Sequence, residues 1–579
     1  MSKRTSDHNR ATFLMDGEEF FGTFAACLEE VKRSATEPVE VESLSKGEGK
    51  KVADGPAPVP PTTYVRLAYW AMEKGLSLKQ DDHHFTMEVA LKQLADAGVH
   101  VEIILWDPDA LSANAGGDDN FAKKVARGNK AVHTALNGYK GKILVYLESH
   151  PVIGGVGYGL HQKMSIFSIR GKLKALVGGF NMEEEYWDTG YHWGHHPLKG
   201  HNHTLHDTAV LVEGPATCHI EEEWLRRWKR QSPLISFGAK SPQEVRAEVR
   251  GPVSSQPTDG GHHISVLTTG VSAVSSTEHS IRDEIKTLIQ NATTYLYAEN
   301  YQFFDPDIVG EVCRKLKAWK PFEVCVVIPD PACDPTHANT QLSRIAYARM
   351  LLASLKEKEG VKGKLDVALQ SIKLKGSSKP VQNDPGMYHK VVKKKSGTWM
   401  EEASLQVAPR PVEGVKIQDK PVQVALEAIE SLEFAEGVTP RVQFYCPVRS
   451  PGHSGDYGDS TKIYVHSKLM LIDSKHVIVG SANFGYRSME YDGEMSLHIQ
   501  SDEFAVSVKQ KLFPHYNVKS LKEVPAALRD ASHENADRAD QVKLIARSPG
   551  QLGITSDDVK GYMTEKMKGA SVAMNYKWY

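Results

Sequence analysis

Apolar positions along the chain recur in two similar series of helix, strand, helix and strand. In the first series, Phe13 to Met15 is a short apolar run that Asp16-Gly17 closes as a turn signal. Phe20, Phe21, Phe24, Leu28 and Val31 then recur at helical spacing between Glu18 and Lys32. Tyr64 to Trp70 reads as a strand, the region around Phe85 to Ala97 as a helix, and Val99 to Trp106, beyond Gly98, as the next strand. The second series places a helix at Ser280 to Asn291, a strand at Thr294 to Glu299, a helix at Ile308 to Trp319 and an apolar strand at Phe322 to Pro329. Each series leads to a hairpin pattern, so the order implies an internal duplication. The halves are expected at 1–262 and 263–579. Two stretches interrupt them: 35–61, rich in Pro, Gly, Lys and Glu, and 356–421, which carries Lys393-Lys394-Lys395. Both read as solvated insertions. The tail beyond Asp530 has helical stretches and carries no assigned role.

The candidate chemistry lies in the hairpins. Tyr464 to Asn483 reads YVHSKLMLIDSKHVIVGSAN, so His466 and Lys468 are two residues apart and would share one face of an extended strand. An imidazole and an ammonium so placed can handle a phosphate. Asp473 is out of phase with them and falls at the Ser474-Lys475 turn, which makes it structural rather than catalytic. The returning strand, Val477-Ile478-Val479, delivers Asn483. At average residue frequencies His, Lys and Asp at these spacings arise by chance at roughly one start in several thousand. A second copy stands in the first half: His161-Gln-Lys163, then Gly178-Gly179-Phe180-Asn181. There Ser168 replaces the aspartate, and the stretch before Gly178 is longer.

These motifs closely resemble the signature of the phospholipase D superfamily. Flanking segments extend the likeness: Leu205-His206-Asp207-Thr208, then Glu213-Gly214-Pro215-Ala216, the helix from Glu222 to Trp228, Glu299-Asn300-Tyr301-Gln302-Phe303-Phe304, Arg487-Ser488-Met489 and Asp492-Gly493-Glu494. The resemblance runs from about Phe13 to Gln500. It implies an α/β fold of two similar halves, each a sheet flanked by helices, forming a bilobal pseudo-twofold monomer with the site between them.

In such a site Lys163, Lys468, Asn181 and Asn483 would surround the anionic oxygens of a phosphodiester, an arrangement that requires neither metal nor other cofactor. One histidine attacks phosphorus and the other protonates the leaving alcohol, then activates water. The resemblance implies His161 as nucleophile and His466 as acid and base. It also implies that Glu494 orients His466 and Asp207 orients His161. His192, His195, His196, His201, His203 and His206 crowd one loop after the first motif. Their spacings match no closed zinc pattern, and a polar rim over the active site is the preferred expectation over a metal site.

Composition narrows the substrate class. Lys and Arg total 70 against 72 Asp and Glu in 579 residues, which leaves no overall basic field for nucleic acid. The six cysteines form no CxxC pair, and a reducing compartment suits them. The N-terminus lacks the apolar core of a secretory signal, and no run approaches the ~20 apolar residues of a membrane span. The expectation is therefore a phospholipase D that meets glycerophospholipid from the water side as a peripheral protein. It would be cytoplasmic or exported without a cleavable signal, for which a bacterial effector is one setting. The lysines of 356–421 offer a basic surface for anionic headgroups, each contributing about 1 kcal/mol near such a membrane. Alternatives are a cardiolipin-synthase-like phosphatidyltransferase, a nuclease of the same superfamily and a non-catalytic membrane-binding scaffold.

Overall fold

The computed structural model describes residues 4–37, 63–107, 121–148, 159–192, 204–230, 257–270, 278–330, 441–449, 462–518, 524–533 and 542–547, with shorter pieces at 198, 391–393, 399–401 and between 343 and 354. The chain opens with β1 (Thr5–Met15) and α1 (Asp16–Thr36). Next come β2 (Tyr64–Tyr69), α2 (Met87–Asp96), β3 (His100–Trp106), α3 (Phe121–Leu136), β4 (Ile143–Glu148) and the hairpin of β5 (Met164–Ile169) and β6 (Lys172–Gly178). They are followed by β7 (Leu205–His206), β8 (Thr208–Glu213) and α4 (Ala216–Arg230). The second series comprises β9 (His262–Gly270), β10 (Glu278–His279), α5 (Ser280–Asn291), β11 (Tyr295–Glu299), α6 (Pro306–Ala318) and β12 (Glu323–Val327). Within 356–421 only β13 (Val391–Lys393) and β14 (Trp399–Glu401) are described, as an antiparallel pair. Then come β15 (Val442–Arg449), β16 (Tyr464–Val465), the hairpin of β17 (Leu469–Ile472) and β18 (His476–Gly480), α7 (Tyr486–Glu490), β19 (Glu494–Gln500), α8 (Asp502–His515), α9 (Val524–His533) and β20 (Val542–Arg547).

A single mixed sheet organises these elements. From the central antiparallel pair β1–β9, one arm runs outward through β8, β6, β5, β2, β3 and β4, and the other through β19, β18, β17, β11, β12 and β15, with β20 beyond. The order is the same in both directions. In each arm the three outer strands of the series, β2-β3-β4 or β11-β12-β15, are parallel, and the hairpin strands beside them are antiparallel. Strands covered on both faces need apolar residues in both phases, which is why β2 and β11 are buried along their whole length. Val65, Leu67, Tyr69, Val101, Ile103 and Leu105 face one core with Phe20, Phe21, Phe24 and Leu28 of α1. Their neighbours Ala68, Ile104 and Trp106 face a second core, which Tyr297, Leu471 and Val479 of the other arm share.

Helix starts follow local chemistry. Thr86 caps α2, and Asp305 accepts from Asp307 N and Ile308 N at 3.1 and 3.0 Å while Pro306 fills the first position of α6. One local expectation fails: Asp16-Gly17 is no turn, because β1 passes directly into α1. Asp16 takes a left-handed φ of 60° there, with its N–H donating to Asp207 O at 2.9 Å.

The two hairpins turn through paired residues of positive φ, Arg170-Gly171 and Asp473-Ser474. Asp473 accepts from Thr293 N and Oγ1 at 2.6 and 2.9 Å, from Thr294 N and Oγ1 at 2.8 and 2.7 Å, and from Tyr295 N at 3.0 Å. It thus ties the second hairpin to the start of β11. In the first, the strands are longer, six and seven residues against four and five, so the position of the missing aspartate lies within β5. Ser168 is buried there opposite Tyr64. Anchoring passes to Arg170, whose N–H donates to Thr63 Oγ1 at 3.2 Å and whose guanidinium donates to Ser34 O and Glu37 O at 3.0 Å each.

Candidate active site

His161 and Lys163 precede β5, and His466 and Lys468 precede β17, so neither motif lies on its strand as the spacing alone predicts. Their backbone is extended but hydrogen-bonded to the other half of the chain. β16 pairs in parallel with β7, and His466 N and Ser467 N both donate to His206 O, at 2.8 and 3.1 Å. Leu160 forms the corresponding parallel bridge with Gly493, and His161 N donates to Gly493 O at 2.9 Å.

This backbone pairing corrects the expected histidine partners. His161 Nδ1–H donates to Glu494 Oε1 at 2.7 Å, and His466 Nδ1–H donates to Asp207 Oδ2 at 2.6 Å. Each ring is held by the carboxylate that follows the segment it pairs with, and that segment comes from the opposite half. The hydrogen bond fixes the tautomer and turns Nε2 of each ring outward. The carboxylates are held in turn. Ser481 Oγ donates to Glu494 Oε2 at 2.5 Å, and Thr208 N donates to Asp207 Oδ1 at 2.8 Å. A Cβ on Gly179 would stand 2.1 Å from Asp207 Oδ1, so only glycine lets Asp207 reach its histidine. Arg487 grips Asp492 through two hydrogen bonds of 2.6 and 3.0 Å, bracing the loop before Glu494.

The other motif residues gather beside these pairs. Lys163 Nζ donates to His161 O at 2.9 Å, and Lys468 Nζ donates to His466 O. Asn181 Nδ2 donates to the Tyr186 hydroxyl and Asn483 Nδ2 to the Tyr301 hydroxyl, each at 3.1 Å. Aromatic rings complete the walls. Tyr301 stacks on His466 at 5.8 Å, Tyr186 meets His466 edge-on with its hydroxyl 3.4 Å from Nε2, and Trp70 lies 6.0 Å from the His161 ring. The sequence reading gave Trp70, Tyr186 and Tyr301 no site role. Tyr301 does lie inside the flanking segment Glu299–Phe304 that resembles the superfamily, the one available signal among the three.

Crowding of cation-forming groups in a buried site sets the electrostatics. Burial pushes the Lys163 ammonium down to about 8 and that of Lys468 down to about 7, against the pull of Glu494 and Asp207. Burial, then Lys468, Lys163 and His161, holds His466 well below its ordinary value. His161 is lowered too, because burial outweighs Glu494. Burial raises Asp207 to about 7 in spite of Lys468. An anionic phosphodiester entering the site would reverse these shifts for the lysines and histidines.

The expected polar rim fails at the two described histidines of the loop, His192 and His206. His192 and His206 are fully buried: Asp16 and Glu299 receive the two nitrogens of His206, and His192 Nδ1 lies 3.1 Å from Asp188 Oδ2. His195, His196, His201 and His203 lie outside the described residues.

Residues 418–514, which include His466, Lys468, Asn483 and Glu494, match the family described as "Cardiolipin synthase, PLD-like domain". Phospholipase D A of Dictyostelium discoideum is 21% identical over 487 residues, covering 74% of this chain and 30% of that protein. These matches support a phospholipase D superfamily member, with a PLD-like domain matched over residues 418–514. Phospholipase D alpha 3 of Arabidopsis thaliana is 40% identical over 55 residues, 9% of this chain and 7% of that protein. The chain thus spans less than a third of the length of these superfamily relatives. Among solved structures, a phosphatidylserine synthase from Haemophilus influenzae Rd KW20 aligns with a TM-score of 0.45 and 10% identity, over 98% of this chain and 95% of that one. No helix among the described residues is long and apolar enough to cross a membrane.

Proposed function

We propose that this superfamily member is a phospholipase D, hydrolysing the distal phosphodiester of glycerophospholipids to phosphatidic acid and free headgroup. The observation that carries the reading is the crossed pair of histidines, each with Nδ1 on a carboxylate from the opposite half and a lysine two residues on. Neutral His161 attacks phosphorus through Nε2. The P–O bond to the headgroup breaks, and the departing oxygen takes the proton from His466 Nε2. Neutral His466 then removes a proton from water, whose oxygen displaces His161 from phosphorus and completes the cycle. The assignment of nucleophile follows the surroundings: the Tyr186 hydroxyl faces His466 Nε2, whereas His161 Nε2 makes no hydrogen bond among the described residues. Lys163, Lys468, Asn181 and Asn483 surround the phosphoryl oxygens, and no metal enters the step.

The match to a cardiolipin synthase domain supports a second fate for the same covalent intermediate, discharge to an alcohol. The deciding experiment supplies vesicles of defined headgroup with and without ethanol or glycerol, without added metal, and measures headgroup release and phosphatidyl-alcohol formation. Both products should vanish in His161→Ala and in His466→Ala. Vesicle binding without turnover, or cleavage of plasmid DNA alone, would replace the proposal with a scaffold or a nuclease.

A further inference from the structure

Behind the Asp207 loop, we propose, Asp16, His192, His206 and His515 form a structural binding site for one transition-metal ion of the zinc type. One ligand atom from each lies within 4.8 Å of the other three, and Asp16, His192 and His206 are at most 1% exposed. His192 Nε2 stands 3.2 Å from His515 Nε2 and 3.6 Å from Asp16 Oδ2, and His206 Nδ1 stands 2.8 Å from Asp16 Oδ1. Ligand atoms of a tetrahedral site with metal bonds of about 2.0–2.1 Å stand about 3.3 Å apart, so a modest contraction of the longer separations closes the site.

The outer ring nitrogens are the second observation. His192 Nδ1 lies 3.1 Å from Asp188 Oδ2, His206 Nε2 lies 3.1 Å from Glu299 Oε2, and His515 hydrogen-bonds the Gly190 backbone. His206 and His515 thus have one nitrogen hydrogen-bonded outside and the other turned inward, the arrangement by which proteins orient metal-binding histidines, while His192 Nδ1 lies beside Asp188 without a hydrogen bond among the described residues. Glu299 is itself fixed by the hydroxyls of Tyr297 at 2.5 Å and Tyr516 at 3.0 Å. The third observation is Asp16 Oδ2, which is buried and has no hydrogen-bond partner among the described residues. Such an oxygen carries a desolvation cost that a cation would remove. Three imidazoles and one carboxylate suit zinc, cobalt or nickel, whereas calcium and magnesium prefer all-oxygen sites.

The ion would not touch substrate. Its place explains a positioning effect: Asp16 N donates to Asp207 O, and His206 O receives His466 N and Ser467 N. Three ligands come from the first half and His515 from α8, so the ion would join distant parts of the chain beneath one histidine pair.

The full chain should be stripped with chelator, reloaded separately with zinc and cobalt, desalted and assayed for metal content, visible cobalt absorption and thermal unfolding. Expected are a single retained equivalent, the absorption of four-coordinate cobalt and a higher unfolding temperature on reloading. His515→Gln and Asp16→Asn should lose the ion, Glu299→Gln should bind it about 10- to 100-fold more weakly, and His161→Gln should retain it. Wild-type protein that keeps no metal after reloading overturns the proposal, as does unchanged retention in both His515→Gln and Asp16→Asn. Should a ligand variant not fold, wild-type stoichiometry and the cobalt spectrum still decide.

Discussion

The two hairpins perform the same task with different anchors. The second ends in Asp473, whose carboxylate receives five hydrogen bonds from Thr293 to Tyr295. In the first, longer strands bury Ser168 and hand the tip to Arg170, which donates to Thr63, Ser34 and Glu37 instead of accepting. Near the histidines the difference recurs: Ser481 holds Glu494 through its hydroxyl, whereas Gly179 makes room for Asp207. The two arms of the sheet therefore hold the same side-chain geometry while exchanging the polarity of what supports it. The aspartate of the motif belongs to the support, and its loss in one copy does not mark that copy as inert.

The strongest way to break the equivalence of the two sides is to remove one histidine at a time. Each alanine variant should lower headgroup release at least about 10³-fold. With an aryl phosphodiester, whose leaving group needs no proton, His466→Ala should still form a labelled phosphoenzyme and His161→Ala should not; the reverse pattern would exchange their roles. Asp207→Asn and Glu494→Gln come next, each with an expected loss of about 10²- to 10⁴-fold in kcat through a misoriented ring. Crossed pairing is sharpened by a double-mutant cycle on kcat: Glu494→Gln should add little to His161→Ala but act in full beside His466→Ala.

A smaller effect concerns pH. Lys468 and Lys163 are depressed to about 7 and about 8 by burial, so they lose their protons as pH rises through that range. Their charge is present below it, and kcat/KM should fall above it. Bound phosphodiester should carry the same limb to higher pH in kcat, a shift readable by comparing the two profiles. The smallest effect is expected at the tips. Asp473→Ser should lower stability by about 1–3 kcal/mol in denaturant unfolding with kcat nearly unchanged. A large loss of kcat at retained stability would return Asp473 to the chemistry.

Much of this was legible in the sequence because its signals are local. Phe20, Phe24 and Leu28 lie on one helical face, and the nearly continuous apolar run from Tyr64 to Tyr69 marks a strand covered on both faces. His466, Lys468 and Asn483 share one hairpin, so spacing alone joins them. The crossed partners were not legible, since nothing near His161 announces that Leu160 will pair with Gly493 and bring Glu494 with it. Distance hid the residues around His206 in the same way: Asp16, Glu299 and His515 come from three remote segments, and His192 and His206, read as part of a rim, are buried among them. Asp16-Gly17 looked like a turn because the bond from Asp16 to Asp207, which holds the backbone in that form, is also remote.

The crossed pairing has a consequence for the chain as it is made. His161 and the carboxylate that aims it are 333 residues apart, and every chain shorter than the segment bearing Glu494 lacks that partner. Synthesis therefore passes through a long period in which the first motif has left the ribosome with the His161 ring unaimed. For the phospholipase D activity proposed above, reactivity would arrive late and abruptly, a safeguard in time that follows from which carboxylate meets which ring.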